Sequence, residues 1–170
     1  MSVPLITHHY HTKDALREVC DEWILDRFLE MKLTAIHEPS SVQNTLADTS
    51  SASVLTVYMV RSFLDATSSA RKFFDRFIEQ LRRIMDTASQ AGMVTASSDE
   101  EERLRLLATQ HLGSLLVEFV LNPPADPAMF VDQVYTRRNL IAWLELYSQP
   151  LLEQSPAMET YIQSICTRVV

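Results

Sequence analysis

The stretch LITHHYHTKDAL, residues 5–16, decides how the rest of the chain is organised. It predicts the end of one short helix, a turn, and the start of a longer helix. Thr12 is a residue type that caps helix N-termini, and Asp14 falls in the first turn, where the helix dipole favours a carboxylate. Ile6 and Tyr10 are placed to pack the short helix onto the long one.

Behind this stretch, apolar residues recur at helical spacing, which predicts one long helix from about Lys13 to Ile36. The apolar positions are Leu16, Val19, Cys20, Trp23, Ile24, Phe28 and Met31. The sequence His37-Glu38-Pro39 ends the helix, because the residue before a proline is pushed out of the helical region.

The remainder of the chain predicts further helices separated by stop signals, and no strand pattern competes with them. Gly92 ends one helix, since glycine tolerates positive φ, and Ser98 to Glu101 forms a capping box for the next. A further start is predicted at Asp126-Pro127. The predicted helices run from about Ser40 or Ser41 to Leu46, Ser51 to Ala66, Ser69 to Gln90, Asp99 to Leu121, Arg137 to Leu152 and Ser155 to Arg168.

Composition agrees with an all-α domain. The 170 residues can bury one sizeable core, 46% of them are apolar, and only two are glycine. The net charge of -7 argues against the whole chain being a nucleic-acid binder, because phosphate binding relies on clustered Lys and Arg.

Cysteine usage and hydropathy predict a cytoplasmic protein. Cys20 and Cys166 lie far apart in apolar helical patterns, so buried thiols in a reducing compartment are expected rather than a disulfide. No N-terminal apolar run follows a basic segment, and no apolar stretch is expected to cross a bilayer, so we expect no membrane partner.

Side chains that could carry catalysis or bind metal form no recognisable site. His8, His9 and His11 invite a metal interpretation, but neighbouring histidines point to different sides of a helix or turn and no carboxylate or thiol has ligand spacing nearby. Phosphate contact or plain surface is the alternative. No glycine-rich phosphate loop and no activated nucleophile is visible, so we expect no enzyme, cofactor or metal.

The opening stretch resembles the end of the DNA-binding domain of TetR-family transcriptional regulators. Ser2 falls on the serine that opens the recognition helix, and Ile6 on an apolar position of that pattern. His9-Tyr10 stands where His-Phe is usual, whereas Thr7 departs from the common tyrosine. Lys13 and Leu16 match the last positions. The resemblance implies that the DNA-contact residues are Ser2, Thr7, His9, Tyr10 and Lys13.

The family places two further helices before the recognition helix, and a helix-turn-helix needs the first of them to hold the second in the major groove. Met1 falls where the family has a valine, which suggests a start inside the original domain; a designed truncation is the alternative. Residues 1–12 are then a remnant of the helix-turn-helix, and residues 13–170 a ligand-binding and dimerisation domain. We expect specific binding of duplex operator DNA only if two upstream helices are restored.

The later helices also resemble the TetR ligand-binding domain, with a Gly-Met-Val turn from Gly92 to Val94 and Gly113 inside a leucine-rich helix. The resemblance implies an all-α bundle that binds a small apolar or amphipathic effector. A glycine within a helix costs about 1 kcal/mol, so Gly113 predicts close approach of a ligand or another helix.

A cavity among the helices is the predicted ligand site, because ligand pockets are mostly apolar with a few orienting polar groups. Tyr58, Arg61 and His111 are polar groups on otherwise apolar helices. The predicted walls are Phe28, Met31, Phe73, Phe77 and Leu115. Ordinary core packing, with a satisfied buried histidine, is the alternative for each of them.

A homodimer is predicted from the last helices, which carry more apolar surface than one subunit easily covers. The predicted interface residues are Leu112, Leu116, Phe119, Leu140, Trp143, Leu144 and Tyr147. The leading hypothesis is thus a TetR-like regulator, a repressor. The alternative is a stand-alone helical dimerisation module without DNA binding or ligand sensing.

Overall fold

The computed structural model describes residues 9–41, 49–64, 68–132, 137–149 and 155–169. Within these ranges the chain forms six α-helices, two short 3-10 turns and no strand, which confirms the all-α prediction. The helices are α1 Lys13–His37, α2 Ser50–Leu64, α3 Ser68–Gln90, α4 Glu100–Leu121, α5 Arg137–Ser148 and α6 Pro156–Val169. The short helix predicted to reach Leu46 lies mostly outside the described residues.

The helices belong to two units, Met1–Tyr135 and Thr136–Val170. The first unit contains α1 to α4, and the second contains α5 and α6. The sequence predicts a different boundary, between residues 12 and 13, which separates the helix-turn-helix remnant from the ligand-binding and dimerisation domain. This boundary stays a prediction.

Helix α1 begins at Lys13, as the sequence predicts, and ends at His37, one residue beyond the predicted end. His11 adopts a left-handed backbone with φ of 56°, which turns the chain between the helical residues at 9–10 and α1. The Thr12 hydroxyl accepts a hydrogen bond of 3.0 Å from the Ala15 N–H and so caps the first turn. At the other end the Glu38 N–H donates to the Thr34 carbonyl, just before Pro39.

The buried face of α1 differs from the predicted one. Trp23 is 61% exposed and Val19 is also exposed, whereas Asp21 is only 5% exposed. The helix packs on α3 and α2 through Leu25 and Leu29, so the buried face is rotated relative to the predicted apolar stripe. Burial of Asp21 is possible because its carboxylate finds hydrogen-bonding partners, described below.

The connection from α3 to α4 is fixed by two helix caps. Gly92, with φ of 72°, ends α3: its N–H donates to the Ser89 carbonyl and the Met93 N–H donates to the Ala88 carbonyl. The start of α4 is one residue later than predicted, since Asp99 rather than Ser98 is the N-cap. The Asp99 carboxylate accepts a hydrogen bond of 3.0 Å from the Glu102 N–H.

Two apolar clusters hold the first unit together. The larger lies where α1, α2, α3 and α4 meet, and its largest buried side chains are Phe73 and Phe77. The smaller cluster joins α2 and α4 to Phe130, next to the 3-10 turn Pro127–Met129. The buried Ser53 hydroxyl of α2 accepts a hydrogen bond of 2.9 Å from the Val131 N–H, which joins the segment after the 3-10 turn to α2.

Helix α4 corrects two expectations. A Cβ added at Gly113 would meet nothing within 4 Å, so nothing in the described structure approaches this glycine closely. The helix is also long and apolar enough by length and composition to cross a membrane, contrary to the sequence prediction. Core helices of soluble proteins can have the same length and composition. Four residues of α4 are buried in the unit: Leu104, Ala108, Leu112 and Leu115.

The second unit presents much apolar surface. Ile141, Leu144 and Tyr147 of α5 are exposed. The Trp143 and Tyr147 rings contact each other, with centroids 5.1 Å apart. The Ser155 hydroxyl accepts from the Met158 N–H at the start of α6, as predicted for the last helix.

Candidate ligand site

Three rings from three helices meet in the first unit and form what we call the ring cluster: Phe28 of α1, Phe77 of α3 and His111 of α4. The Phe28 and Phe77 centroids are 5.3 Å apart, and each lies 6.1 Å from the imidazole centroid. Phe77 is fully buried and stacks on His111 at 14°, whereas Phe28 and His111 are half-buried. The cluster therefore has one fully buried ring and two partly exposed rings.

The ring cluster lies where α1, α3 and α4 meet. Helix α3 packs on both α1 and α4, but α1 and α4 make no comparable backbone contact with each other. Their side chains nevertheless meet, through Phe28 and His111.

The imidazole of His111 is neutral at physiological pH. Burial lowers its pKa from 6.5 to about 4, because a charged ring is poorly solvated there, and the nearby positive charge of Lys32 adds to the effect. In the ring cluster His111 is therefore an uncharged ring, not a cation.

Lys32 follows Phe28 by one helical turn on α1. Its ammonium lies 5.5 Å from the Phe28 ring centroid, within cation–π range. Surrounding protein atoms lower the pKa of the Lys32 amine, although the side chain is exposed by surface area.

A second polar group of interest lies between α1 and α2. The Tyr58 hydroxyl donates a hydrogen bond of 2.7 Å to the buried Asp21 carboxylate. Burial and this hydrogen bond raise the pKa of Tyr58 well above its ordinary value. The Arg17 guanidinium lies 4.0 Å from the Asp21 carboxylate and donates a hydrogen bond of 3.1 Å to the Ser62 carbonyl. These bonds fix α1 against α2.

A polar pocket of about 380 Å³ lies beside Arg17 and Asp21, between α1 and the start of α3. Its lining is mostly charged or hydroxylic and includes Arg17, Asp21, Ser69 and Arg76. This composition differs from the apolar cavity that the sequence predicts.

The structure brings together only some of the predicted ligand-binding residues. Phe28, Phe77 and His111 form the ring cluster, and Met31, Tyr58 and Phe73 belong to the same core. Leu115 is buried in the smaller cluster. Arg61 is exposed, with its guanidinium carbon 6.0 Å from the Phe119 ring centroid. Ligand contact by any of these residues stays a prediction.

The predicted DNA-contact residues fall at the start of the described chain. His9 and Lys13 are exposed and Tyr10 is half-buried. A surface pocket of about 410 Å³ is lined by His9, Tyr10 and His11 together with α1 residues. Ser2 and Thr7 lie outside the described residues.

The predicted interface residues of α4 point inward. Leu112 is only 7% exposed in the larger core cluster, and Leu116 and Phe119 pack against the smaller one. The opposite face of α4 carries apolar residues at successive spacings of seven, four and three, which we call the outer stripe: Leu106, Gly113, Val117 and Val120. In the second unit Trp143 is half-buried and Leu144 and Tyr147 are exposed, while the Leu140 side chain is outside the described residues.

Sequence reasoning missed Asp21 and Lys32. Asp21 lies one helical turn after Arg17 and Lys32 one turn after Phe28, spacings that bring side chains together on a helix. Neither spacing reveals which partner on another helix the side chain meets. Among the described residues, no group of three or more His, Cys, Asp or Glu could hold a metal ion.

Comparison with known proteins gives the family. The family model described as "Tetracyclin repressor-like, C-terminal domain" matches residues 50–153, well over half of the chain. The chain belongs to the TetR family of transcriptional regulators. It is also 24% identical over 164 residues to the HTH-type transcriptional regulatory protein RaaS of Mycobacterium tuberculosis, covering 95% of this chain and 77% of that protein.

Membership of the TetR family agrees with the resemblance seen in the sequence. The matched range begins at α2 and extends past α5, so it includes Phe77, His111 and the outer stripe. Phe28 and Lys32 of α1 lie before it, within the region similar to RaaS.

Proposed function

We propose that this TetR-family chain is the effector-binding and dimerisation part of a cytoplasmic transcriptional repressor. A small apolar or amphipathic effector binds in the first unit and moves α1. In a dimer this movement changes the spacing of two DNA-contact segments and releases operator DNA, which is a population shift between two states.

One observation carries the proposal: α1 connects the predicted DNA contacts to the ring cluster. Lys13 is the first residue of α1, and Phe28 in its middle contacts Phe77 and His111. Fifteen residues of α-helix span about 22 Å, so a small rotation at Phe28 displaces the residues at the start of α1. The Tyr58–Asp21 hydrogen bond joins the same helix to α2, so a shift of α1 must also work against that bond.

The outer stripe of α4 supports dimerisation. Leu106, Gly113, Val117 and Val120 recur at the spacing of helices that pack side by side, and open space surrounds Gly113. A glycine at the centre of such a stripe allows a second helix to approach closely. In a dimer the same helix of a second copy fills this space, since a two-fold interface uses one patch twice.

Sedimentation of the full chain tests the dimer. Val117→Glu places a charge in the outer stripe and should convert the dimer to monomer, because an unpaired charge cannot be buried in an apolar contact. Val54→Glu on α2 is the matched control, since Val54 is 51% exposed and Val117 55% exposed. A wild-type monomer at micromolar concentration, or equal behaviour of the two variants, would refute this interface.

Ligand-dependent melting tests effector binding. A ligand that binds only the folded state raises the melting temperature, so a single-chain amphiphile such as 1-decanol should stabilise the chain. If the chain dimerises and no apolar or amphipathic compound stabilises it, the sensing part of the proposal fails. The alternative, a stand-alone dimerisation module, then takes its place.

A further inference from the structure

We propose that a surface pocket at the junction of α2, α3 and α4 binds a small aromatic monocarboxylate, with Arg71 holding the carboxylate and Phe63 and Phe74 contacting the ring. The inference rests on the proposed effector binding and names the place and the chemical class of the effector. We call this feature the arginine pocket.

The arginine pocket is small. Its volume is about 340 Å³, near the lower end of the roughly 300–1,000 Å³ that small-molecule sites occupy, so it favours a ligand of one or two rings. The end of α2, the first two turns of α3 and one residue of α4 supply the described lining: Phe63, Ala70, Arg71, Phe74, Asp75 and Arg105.

Two aromatic rings form the apolar part of the arginine pocket. Phe63 and Phe74 meet edge to face, with centroids 6.1 Å apart and ring planes at 85°. Both rings are half-buried, and Phe63 rests on the buried Phe73 ring at 5.6 Å. Aromatic rings favour offset-stacked and edge-to-face partners, so the open sides of Phe63 and Phe74 suit a third ring.

Two guanidinium groups form the polar part of the arginine pocket, and arginine stays protonated at neutral pH. Arg71 is exposed and makes no hydrogen bond or ion pair with another described residue. The Arg105 Nε lies 3.7 Å from the Glu101 carboxylate, beyond hydrogen-bond distance, while the same carboxylate accepts 2.7 Å from Arg82. Both lining guanidinium groups therefore keep N–H donors that a ligand can use.

Charge balance selects a single carboxylate. Asp75, one helical turn after Arg71, is the carboxylate of the described lining and offsets one of the two cations. A monocarboxylate neutralises the remaining positive charge, whereas a dianion brings excess negative charge close to Asp75. The planar guanidinium also matches a carboxylate through two parallel hydrogen bonds, and a neutral amide has only one acceptor oxygen to offer.

The arginine pocket borders a contact that fixes α1. Phe63 directly follows Ser62, whose carbonyl accepts a hydrogen bond of 3.1 Å from the Arg17 guanidinium of α1. Arg17 in turn lies one helical turn after Lys13, a predicted DNA-contact residue. A ligand that moves Phe63 therefore acts on the attachment of α1 to α2, which is the link that the proposed function requires.

Binding of 2-naphthoate and of its neutral amide, 2-naphthamide, to the full chain at neutral pH tests the carboxylate assignment by isothermal titration. Wild type should bind the acid about tenfold tighter than the amide, as expected for one charge-assisted pair. Arg71→Gln should abolish that preference by weakening naphthoate binding alone, and Arg71→Lys should retain part of it. Arg83→Gln, the same substitution at an exposed arginine further along α3, is the matched control and should keep the wild-type ratio.

Two further measurements test the place and the ring. Ala70→Leu adds carbon atoms to the lining of the arginine pocket and should weaken the binding of both naphthalene compounds, with circular dichroism of the free chain as the check on folding. Octanoate carries the same charge as naphthoate without an aromatic ring, so it should bind wild type more weakly than naphthoate does.

The outcomes separate this inference from the proposed function. Equal affinity of wild type for acid and amide, or a preference that survives Arg71→Gln, overturns the carboxylate assignment. Naphthoate binding that Ala70→Leu leaves unchanged overturns the location, and octanoate binding as tight as naphthoate binding overturns the aromatic class. If neither naphthalene compound binds while 1-decanol stabilises the chain, the inference fails and effector binding stands; if no apolar or amphipathic compound stabilises the chain, both fail.

Discussion

Removing the imidazole of His111 should change how the stability of this chain depends on pH. Burial, and secondarily Lys32, lower the pKa of His111 from 6.5 to about 4 in the folded chain. Between these values the unfolded chain binds a proton that the folded chain does not. Folding stability therefore rises with pH across this window and is lost as the pH falls from 6.5 towards 4.

The size of the effect follows from the two pKa values. One pKa unit corresponds to about 1.4 kcal/mol, so full titration of His111 costs on the order of 3 kcal/mol. This is an upper value, because the ring is half-buried and the chain can relax around an imidazolium. His111→Leu removes the titrating group, so the variant should lose less stability than wild type over the same pH range.

Urea unfolding followed by circular dichroism, at one protein concentration and between about pH 4 and pH 6.5, measures the difference. Concentration must be fixed because dimerisation would contribute to stability. Ile78→Val is the control: it trims a buried residue of α3, costs about 0.5–1.5 kcal/mol, and should lower the curve without changing its slope. Parallel pH dependence of wild type and His111→Leu would show that His111 is not the group responsible.

Three further predictions concern the described helices. Tyr58→Phe removes the donor to buried Asp21 and should lower the free energy of unfolding in urea by about 1.5–3 kcal/mol. A free energy of unfolding equal to that of wild type within experimental error would contradict this prediction. Asp99→Ala should cost about 1 kcal/mol by loss of the α4 cap, whereas Ser98→Ala should cost little; the reverse order would restore the sequence-based capping register. Trp143→Glu should give monomers or aggregates in sedimentation if α5 contributes to the dimer, and an unchanged dimer would remove α5 from the interface.

Sequence alone determined where most helices begin and end, because those signals are local. The cap at Thr12 and the stop at Gly92 each depend on residues within one helical turn. The helix start predicted at Asp126-Pro127 is instead a three-residue 3-10 turn. The one-residue difference at Ser98 and Asp99 has the same origin, since either side chain can cap a helix and only the path of the chain selects between them. The motif around Lys13 also sufficed to indicate the TetR family, which the family model then established.

Tertiary structure decided which faces are buried and which side chains from different helices meet. An apolar stripe on a helix as rich in apolar residues as α4 does not define one direction, so packing against α2 and α3 placed Leu112 inward and left Val117 outward. The contact of Phe28 with His111 joins residues more than eighty positions apart, and its geometry depends on how α3 holds α1 and α4. Burial of Asp21 depends on a hydrogen-bonding partner on another helix, which offsets the cost of burying a carboxylate, and no local pattern contains that partner.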